Sequence, residues 1–314
     1  MSEIYTHRPV LLDECIEGLD IRPEGVYVDG TLGRAGHSSE IAKRLTTGHL
    51  YCIDRDQAAL DAAQDKLAPW MDHVTLIHGN FEDLDQLLTE AGAPAADGML
   101  FDFGVSSPQL DDPARGFSYM HDAPLDMRMD QTQALTARDV VNDWSQDELK
   151  RIISKYGEER YAGLVAAGIV RAREKAPIET TLQLVDVIRG SLPGQALREK
   201  QHPAKRTFQA IRIAVNDELT AAERVIEQAV PRLAVGGRLC IITFHSLEDR
   251  IVKTGYAAQA KGCTCPPDFP VCVCGKKPKV KLINRKPILP SAQELEENPR
   301  SRSAKLRVAE KLEA

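Results

Sequence analysis

A glycine-rich loop, a set of aspartates and a late cysteine cluster carry the side chains of this chain whose types and spacing could do chemistry. The loop is Asp29-Gly-Thr-Leu-Gly-Arg-Ala-Gly-His37, with glycines at 30, 33 and 36. It follows the β-branched and aromatic run Val26-Tyr-Val, and residues 38–45 after it have helical character. Strand, glycine turn and helix is the layout that sets backbone N–H groups beside a polar or anionic ligand. The spacing is G-x-x-G-x-x-G, so the close glycine pair that lets a backbone approach a pyrophosphate is missing. Asp54 ends the next apolar run, where a carboxylate can accept both hydroxyls of a ribose. A ribose without a pyrophosphate fits adenosine joined to an amino acid, as in S-adenosylmethionine. The competing readings are a strand-to-helix loop without a ligand and a plain turn carboxylate in Asp54-Arg-Asp56.

A second stretch, Asp102-Phe-Gly-Val-Ser-Ser-Pro-Gln109, follows the apolar run Met99-Leu-Phe. Many methyltransferases that act on exocyclic amines carry an Asp/Ser-Pro-Pro-aromatic motif at this place. The lone pair of such an amine is delocalised into its ring. It becomes nucleophilic only when acceptors hold its N–H groups and favour a pyramidal nitrogen. In-line attack on a sulfonium methyl then depends mainly on positioning. Asp102 and Ser106 are the candidate catalytic residues, for positioning rather than covalent catalysis. The second proline and the aromatic are absent, so any base stacking must come from elsewhere, with Phe117 and Tyr119 as candidates. An ordinary turn with a side-chain cap is the alternative.

Cys263, Cys265, Cys272 and Cys274 form C-x-C-x6-C-x-C. Thiols this close suggest a structural zinc site, an ordered loop without metal, or a redox pair. The spacing departs from the commoner C-x2–4-C of zinc sites.

The elements that must position these groups alternate strand and helix over the first ~110 residues: strands at 26–29, 50–54, 74–77 and 99–103, with helices near 38–45, 58–67 and 84–91. That order predicts right-handed βαβ units, a parallel sheet covered on both faces, and a ligand beyond the carboxyl ends of its strands. From 110 to 202 the pattern is loop and helix, with Ser145–Glu148 and Thr180–Gln183 as capping signals, which reads as an inserted helical domain. An apolar stripe from Phe208 to Leu233 predicts one long helix or two nearly continuous ones. A fifth strand over 238–245 follows, and then 280–283 and 305–308 as an antiparallel pair of last strands at the sheet edge. His245 and Glu248-Asp249 shape the site or form a helix cap.

Composition sets bounds. Hydrophobic residues at 43% and charged ones at 27% suit a soluble globular chain, and 5% aromatics argue against many base-stacking platforms. No apolar run approaches the ~20 residues of a bilayer span, and the N-terminus lacks the pattern of a signal peptide, so a cytoplasmic location and no membrane partner are expected. Net charge is −6, yet residues 261–314 hold 12 Lys and Arg against 6 Asp and Glu. A basic end on an acidic body suits a structured polyanion, or is a solvated tail. Arg300, Arg302, Lys305 and Arg307 would form one basic face of the last strand, suited to phosphates.

The motifs together resemble the MraW-type family of bacterial 16S rRNA methyltransferases. Matching stretches are His7 with Val10-Leu-Leu-Asp-Glu14, Asp29–His37, Asp102–Asp112, Arg115-Gly-Phe-Ser118, Pro124–Asp130, Tyr156–Arg160, His202–Asn216, Phe244–Arg250 and Glu297–Arg307. They run in order through nearly the whole chain. The resemblance implies a class I S-adenosylmethionine-dependent methyltransferase fold, Rossmann-like with a seven-stranded mostly parallel sheet. It implies a methyltransferase domain over 1–109 and 203–314, and an inserted substrate-recognition domain over 110–202. The implied activity is methylation of N4 of a cytidine in the decoding region of 16S rRNA, within the 30S subunit. Cofactor residues by motif position would be Ala35, Gly36, His37, Asp54, Phe81, Asp102 and Gln109. Ala35 stands where Gly-Gly-His is commoner, and its methyl is tolerated if φ is negative. A ribosome-assembly binding factor with the same fold, and a dehydrogenase, are the readings from other classes; the glycine spacing opposes the second.

Overall fold

Short β-branched runs that alternate with amphipathic segments can bury both faces of a strand only in a sheet with helices on each side. The computed structural model, which describes residues 8–263, 265, 271 and 273–313, has that layout. In chain order, α1 (Leu12–Leu19) precedes β1 (Val26–Asp29), α2 (Gly36–Ala42), β2 (His49–Asp54), α3 (Gln57–Leu67), β3 (Val74–His78), α4 (Leu84–Glu90) and β4 (Ala96–Asp102). Helices α5 (Ser107–Asp111), α6 (Ala137–Asp143), α7 (Gln146–Lys155), α8 (Ala162–Arg173), α9 (Thr181–Ser191), α10 (Gly194–Leu197) and α11 (Lys205–Asn216) follow without a strand. Then come α12 (Glu218–Arg232), β5 (Leu233–Thr243), α13 (Ser246–Ala260), β6 (Val280–Leu282), α14 (Ala292–Glu297) and β7 (Lys305–Lys311).

The strands form one seven-stranded sheet in the order β3-β2-β1-β4-β5-β7-β6. The pairs from β3 to β5 are parallel, and β7 runs antiparallel to both β5 and β6. This is the sheet of a class I methyltransferase, and it reverses direction of growth at β1, with β2 on one side and β4 on the other. Side chains alternate between two cores. Tyr27, Leu50, Cys52, Leu100, Cys240, Ile242, Leu306 and Val308 pack on one face. Val28, Tyr51, Ile53, Met99, Phe101, Leu239, Ile241 and Ala309 pack on the other.

The chain divides into two compact units, Met1–Gly104 with Leu219–Ala314, and Val105–Glu218. The helical unit thus extends past the expected 110–202 at both ends. Its own apolar core explains this, because Phe208, Ala210, Ile211 and Val215 of α11 are buried in it beside Leu149, Ile152 and Val165. The stripe from Phe208 to Leu233 is two helices, broken at Asp217, which takes the left-handed φ of 47°. The capping boxes Ser145–Glu148 and Thr180–Gln183 start α7 and α9 as expected. Strands β6 and β7 form the expected antiparallel pair at the sheet edge, with β7 beside β5 and β6 outermost.

The basic face expected of the last strand does not form. Arg300 and Arg302 lie in a 3-10 turn, Pro299–Ser303, before β7. On β7 itself, Arg307 is buried and its Nε donates to Asp249 Oδ1 at 2.7 Å, while Lys305 Nζ reaches Asp249 Oδ2 at 3.4 Å. A cation paired inside the fold is not available to a phosphate.

Gly30 is required by packing rather than by ligand approach, because a Cβ there would collide with the Phe101 ring. Gly30→Ala should therefore cost about 1–3 kcal/mol of stability, as overpacking does. Urea unfolding of the variant would check this, and an unchanged midpoint would contradict it.

Candidate functional site

Three aspartates end neighbouring strands: Asp54 on β2, Asp29 on β1 and Asp102 on β4. The register pairs Asp29 with Cys52 on one side and Leu100 on the other. Asp54 and Asp102 therefore each stand two residues beyond Asp29, roughly 6–7 Å higher along the sheet. Asp29 forms the floor, and the other two carboxyl groups flank the turn above it.

That turn is stitched to both neighbouring strands. Gly30 N–H donates to Leu100 O at 2.9 Å and Leu32 N–H to Ile53 O at 3.0 Å. Gly33, at φ +50°, donates its N–H to Asp54 Oδ2 at 2.8 Å, and Asp56 N–H donates to Asp54 Oδ1 at 2.8 Å. Gly33 is the loop glycine whose left-handed backbone favours a residue without Cβ. Thr31 does two jobs: its N–H donates to Asp29 Oδ1 at 3.1 Å, and its hydroxyl accepts from Asp102 N–H at 2.6 Å. Ser38 Oγ donates to Asp29 Oδ2 at 2.5 Å. Neither Thr31 nor Ser38 stands out in the sequence as a site residue. The Asp-x-Thr spacing signals an Asx-type turn, but Ser38 carries no local signal for a contact nine residues back.

Electrostatics single out Asp102. Burial, with Asp29 and Glu248 as neighbouring negative charges, pushes its carboxyl up to about 8. Its Oδ1 is buried without a hydrogen-bond partner. Burial also pushes Asp54 up, to about 6, against the N–H bonds from Asp56 and Gly33 that favour its anion. Burial raises Asp29 as well, opposed by its bonds from Ser38 and Thr31 and by His37. An orphaned acceptor among raised carboxyl groups is unfavourable alone and becomes favourable when a cationic or N–H-bearing ligand arrives.

The other expected cofactor residues fall into two sets. Ala35, Gly36 and His37 enter α2, and Ala35 is fully buried at φ 53°, so the condition of a negative φ for its methyl is not met. The left-handed turn there is held by Ala35 N–H to Leu32 O at 2.7 Å. Gly36 is closed off by Pro9, against which a Cβ would clash. His37 is 5% exposed, and its Nε2 lies 3.0 Å from Val10 O. Its ring therefore anchors the N-terminal segment, and the main chain is what it can offer a ligand. Phe81 is half-buried after β3, stacked on Phe103 with centroids 5.4 Å apart and edge-on to Phe101.

Ser106 and Gln109 belong to the helical unit, where they cap α5: Ser106 N–H donates to Gln109 Oε1 at 3.0 Å, and Gln109 is 6% exposed. Phe117 is buried in that unit's core, and Tyr119 stacks on His202 at 4.5 Å, so both serve packing. His245 is the N-cap of α13 and Glu248 completes its capping box, with Glu248 Oε2 accepting from Phe244 N–H at 2.8 Å. Of the four late cysteines, Cys263, Cys265 and Cys274 lie together; Cys272, like His7, lies outside the described residues. No helix among the described residues is long and apolar enough to cross a membrane.

Comparison with known proteins gives a consistent result. The model of the MraW methylase family matches residues 4–312. The ribosomal RNA small subunit methyltransferase H of Paenibacillus sp. (strain JDR-2) is 58% identical over 316 residues, covering 98% of this chain and 100% of that protein. Its counterpart in Brevibacillus brevis is 56% identical over 309 residues, covering 98% of each. A solved rRNA methylase from Streptococcus thermophilus is a remote likeness, with 14% identity and a TM-score of 0.42 over 96% of this chain and 94% of that one.

The raised carboxyl of Asp102 sets a pH dependence. Between about pH 4 and pH 8 the folded state keeps a proton that the unfolded state releases, so stability without ligand falls as pH rises through that window. Asp102→Asn removes that loss and should be a few kcal/mol more stable than the parent at pH 9, with little difference at pH 4. Denaturant unfolding across the range would check it; parallel pH profiles for the two proteins would contradict it.

Proposed function

The chain belongs to the MraW methylase family, and from that premise we propose that it is an S-adenosylmethionine-dependent methyltransferase acting on N4 of a cytidine in the decoding region of 16S rRNA. The observation that carries the reading is the near-full-length identity to ribosomal RNA small subunit methyltransferase H, joined to the carboxyl-lined turn at the switch point of the sheet. The finer points, the cytosine amine and its place in the 30S subunit, rest on the motif after β4 and on the family resemblance.

The residues present fit the methyl donor. Asp102 Oδ1 is a buried acceptor without a partner, and the donor carries a sulfonium and an ammonium. The donor supplies an electrophilic methyl when bound. Asp54 accepts the ribose hydroxyls, Phe81 lines the adenine, and the main chain of Ala35, Gly36 and His37 borders the rest. Asp29, held by Thr31 and Ser38, would add a further carboxyl group to the set that receives the donor's cation. Asp102 would act by holding groups in place, and Ser106 is carried as the second candidate from the motif, so most of the barrier reduction would be positional. With the donor and the base held there, the carboxyl edge would offer an acceptor for the proton that the amine loses. The helical part, which the resemblance places at 110–202, would recognise the RNA, while Gln109 stays a cofactor-binding candidate by motif position.

Incubation with tritium-labelled S-adenosylmethionine and 30S subunits should leave label in N4-methylcytidine after nucleoside digestion. Label in another nucleoside would overturn the N4 assignment, and no label in RNA would overturn the activity in favour of a binding factor. Asp54→Ala should weaken donor binding at least about 100-fold, the worth of two hydrogen bonds to a charged group. Because Asp54 titrates at about 6 and must be ionised to accept, affinity in the parent should fall roughly tenfold between pH 7 and pH 5. Calorimetry reads both effects, and a pH-independent affinity would refute the ribose role.

A further inference from the structure

Between α13 and β6 the chain makes an excursion whose two ends are pinned together. Lys279 N–H donates to Gln259 O at 2.8 Å, and a Cβ on Gly262 would lie 3.0 Å from Pro278 Cδ. Helix α13 leaves the carboxyl end of β5, and β6 starts where β7 ends, at Val280 opposite Lys311. The two ends of the excursion are therefore at the amino edge of the sheet, the far side from Asp29, Asp54 and Asp102.

On this stem the sulfurs of Cys263, Cys265 and Cys274 all lie within 4.8 Å of one another. Cys263 Sγ and Cys274 Sγ are 3.7 Å apart, far beyond the ~2.05 Å of a disulfide. A tetrahedron built on a Zn–S bond of about 2.3 Å has an edge of about 3.8 Å. Two backbone donors point at sulfur: Cys265 N–H to Cys263 Sγ and Val273 N–H to Cys265 Sγ, both at 3.4 Å. Among the described residues, hydrophobic packing does not account for the convergence, because Val271 and Val273 beside the cluster are 69% and 73% exposed.

We propose that Cys263, Cys265 and Cys274 bind one zinc-class divalent cation as thiolates, in a structural centre separate from the carboxyl edge of the sheet. Each thiol gives its proton to solvent on binding, and no oxidation occurs. Thiolate ligands and tetrahedral spacing select zinc over the hard cations magnesium and calcium. The metal then serves as the core that the excursion lacks among its described residues. It also sets the direction of the exposed Lys276 and Lys277 that follow Cys274.

The test uses the full chain, reduced and metal-free under anaerobic conditions, titrated with cobalt(II). One equivalent should bind with a thiolate-to-cobalt charge-transfer band, and zinc should displace it. Cys263→Ser and Cys274→Ser should each weaken binding by more than the 10–100-fold typical of outer-shell changes. A second readout guards against misfolding: trypsin should cut after Lys276 in the metal-free protein and be slowed in the zinc-loaded protein, with the thermal unfolding of the rest of the chain unchanged. Absence of the charge-transfer band, or an identical band in both serine variants, would overturn the proposal.

Discussion

The hydrogen bonds that tie the turn after β1 to the strands on either side of it are the constraint on which the site depends. The sheet grows in opposite directions from β1, toward β2 and toward β4, so a gap opens above its carboxyl end. Residues 30–33 span that gap by bonding to Leu100 O on one side and to Ile53 O and Asp54 on the other. Thr31 closes the arrangement by joining Asp29 below to the main chain of Asp102 above. Register fixes the spacing of the three strand ends, and these bonds fix the turn that lies between their carboxyl groups. Without the bonds a ligand would have to order the turn itself and lose affinity in doing so.

Burial makes the same arrangement chemically useful. In water the three aspartates would all be ionised and unremarkable in affinity. Inside the fold each is pushed upward, Asp102 most clearly, and its Oδ1 has no donor within the protein. The fold thus holds an unfavourable local state that a cationic ligand relieves, which links the cost of burial to binding. The paired cations elsewhere behave oppositely. Arg307 is buried against Asp249 and satisfied within the fold, so it stabilises structure and is removed from any role with RNA.

Most element types could be read from periodicity, and the seven-stranded, mostly parallel sheet matched the family resemblance. Boundaries were less accessible. Asp217 looks like one more polar residue of a helix, yet it takes a left-handed backbone and ends α11, so the helical unit claims residues up to Glu218. Nor could the sequence reveal that Gly30 answers to Phe101 and Gly36 to Pro9, since each partner is distant in the chain. His37 shows the same limit from another side. Its position in the glycine loop suggested a ligand contact, whereas its ring is turned to Val10 O.

What the sequence determined by itself was local: strand periods, capping boxes, the non-dinucleotide glycine spacing, and the order of motifs that resembles one family. These depend on residues a few positions apart, where a side-chain pattern and a backbone conformation imply each other. What only the tertiary structure decided was partnership between distant residues. It set Asp29 below Asp54 and Asp102, gave Thr31 and Ser38 to Asp29, took Arg307 out of solvent, and held three cysteine sulfurs at metal-like spacing. The physical reason is that burial, charge proximity and close packing are properties of a place in the fold. Two residues share such a place through strand register and turn geometry, which no single stretch of sequence encodes.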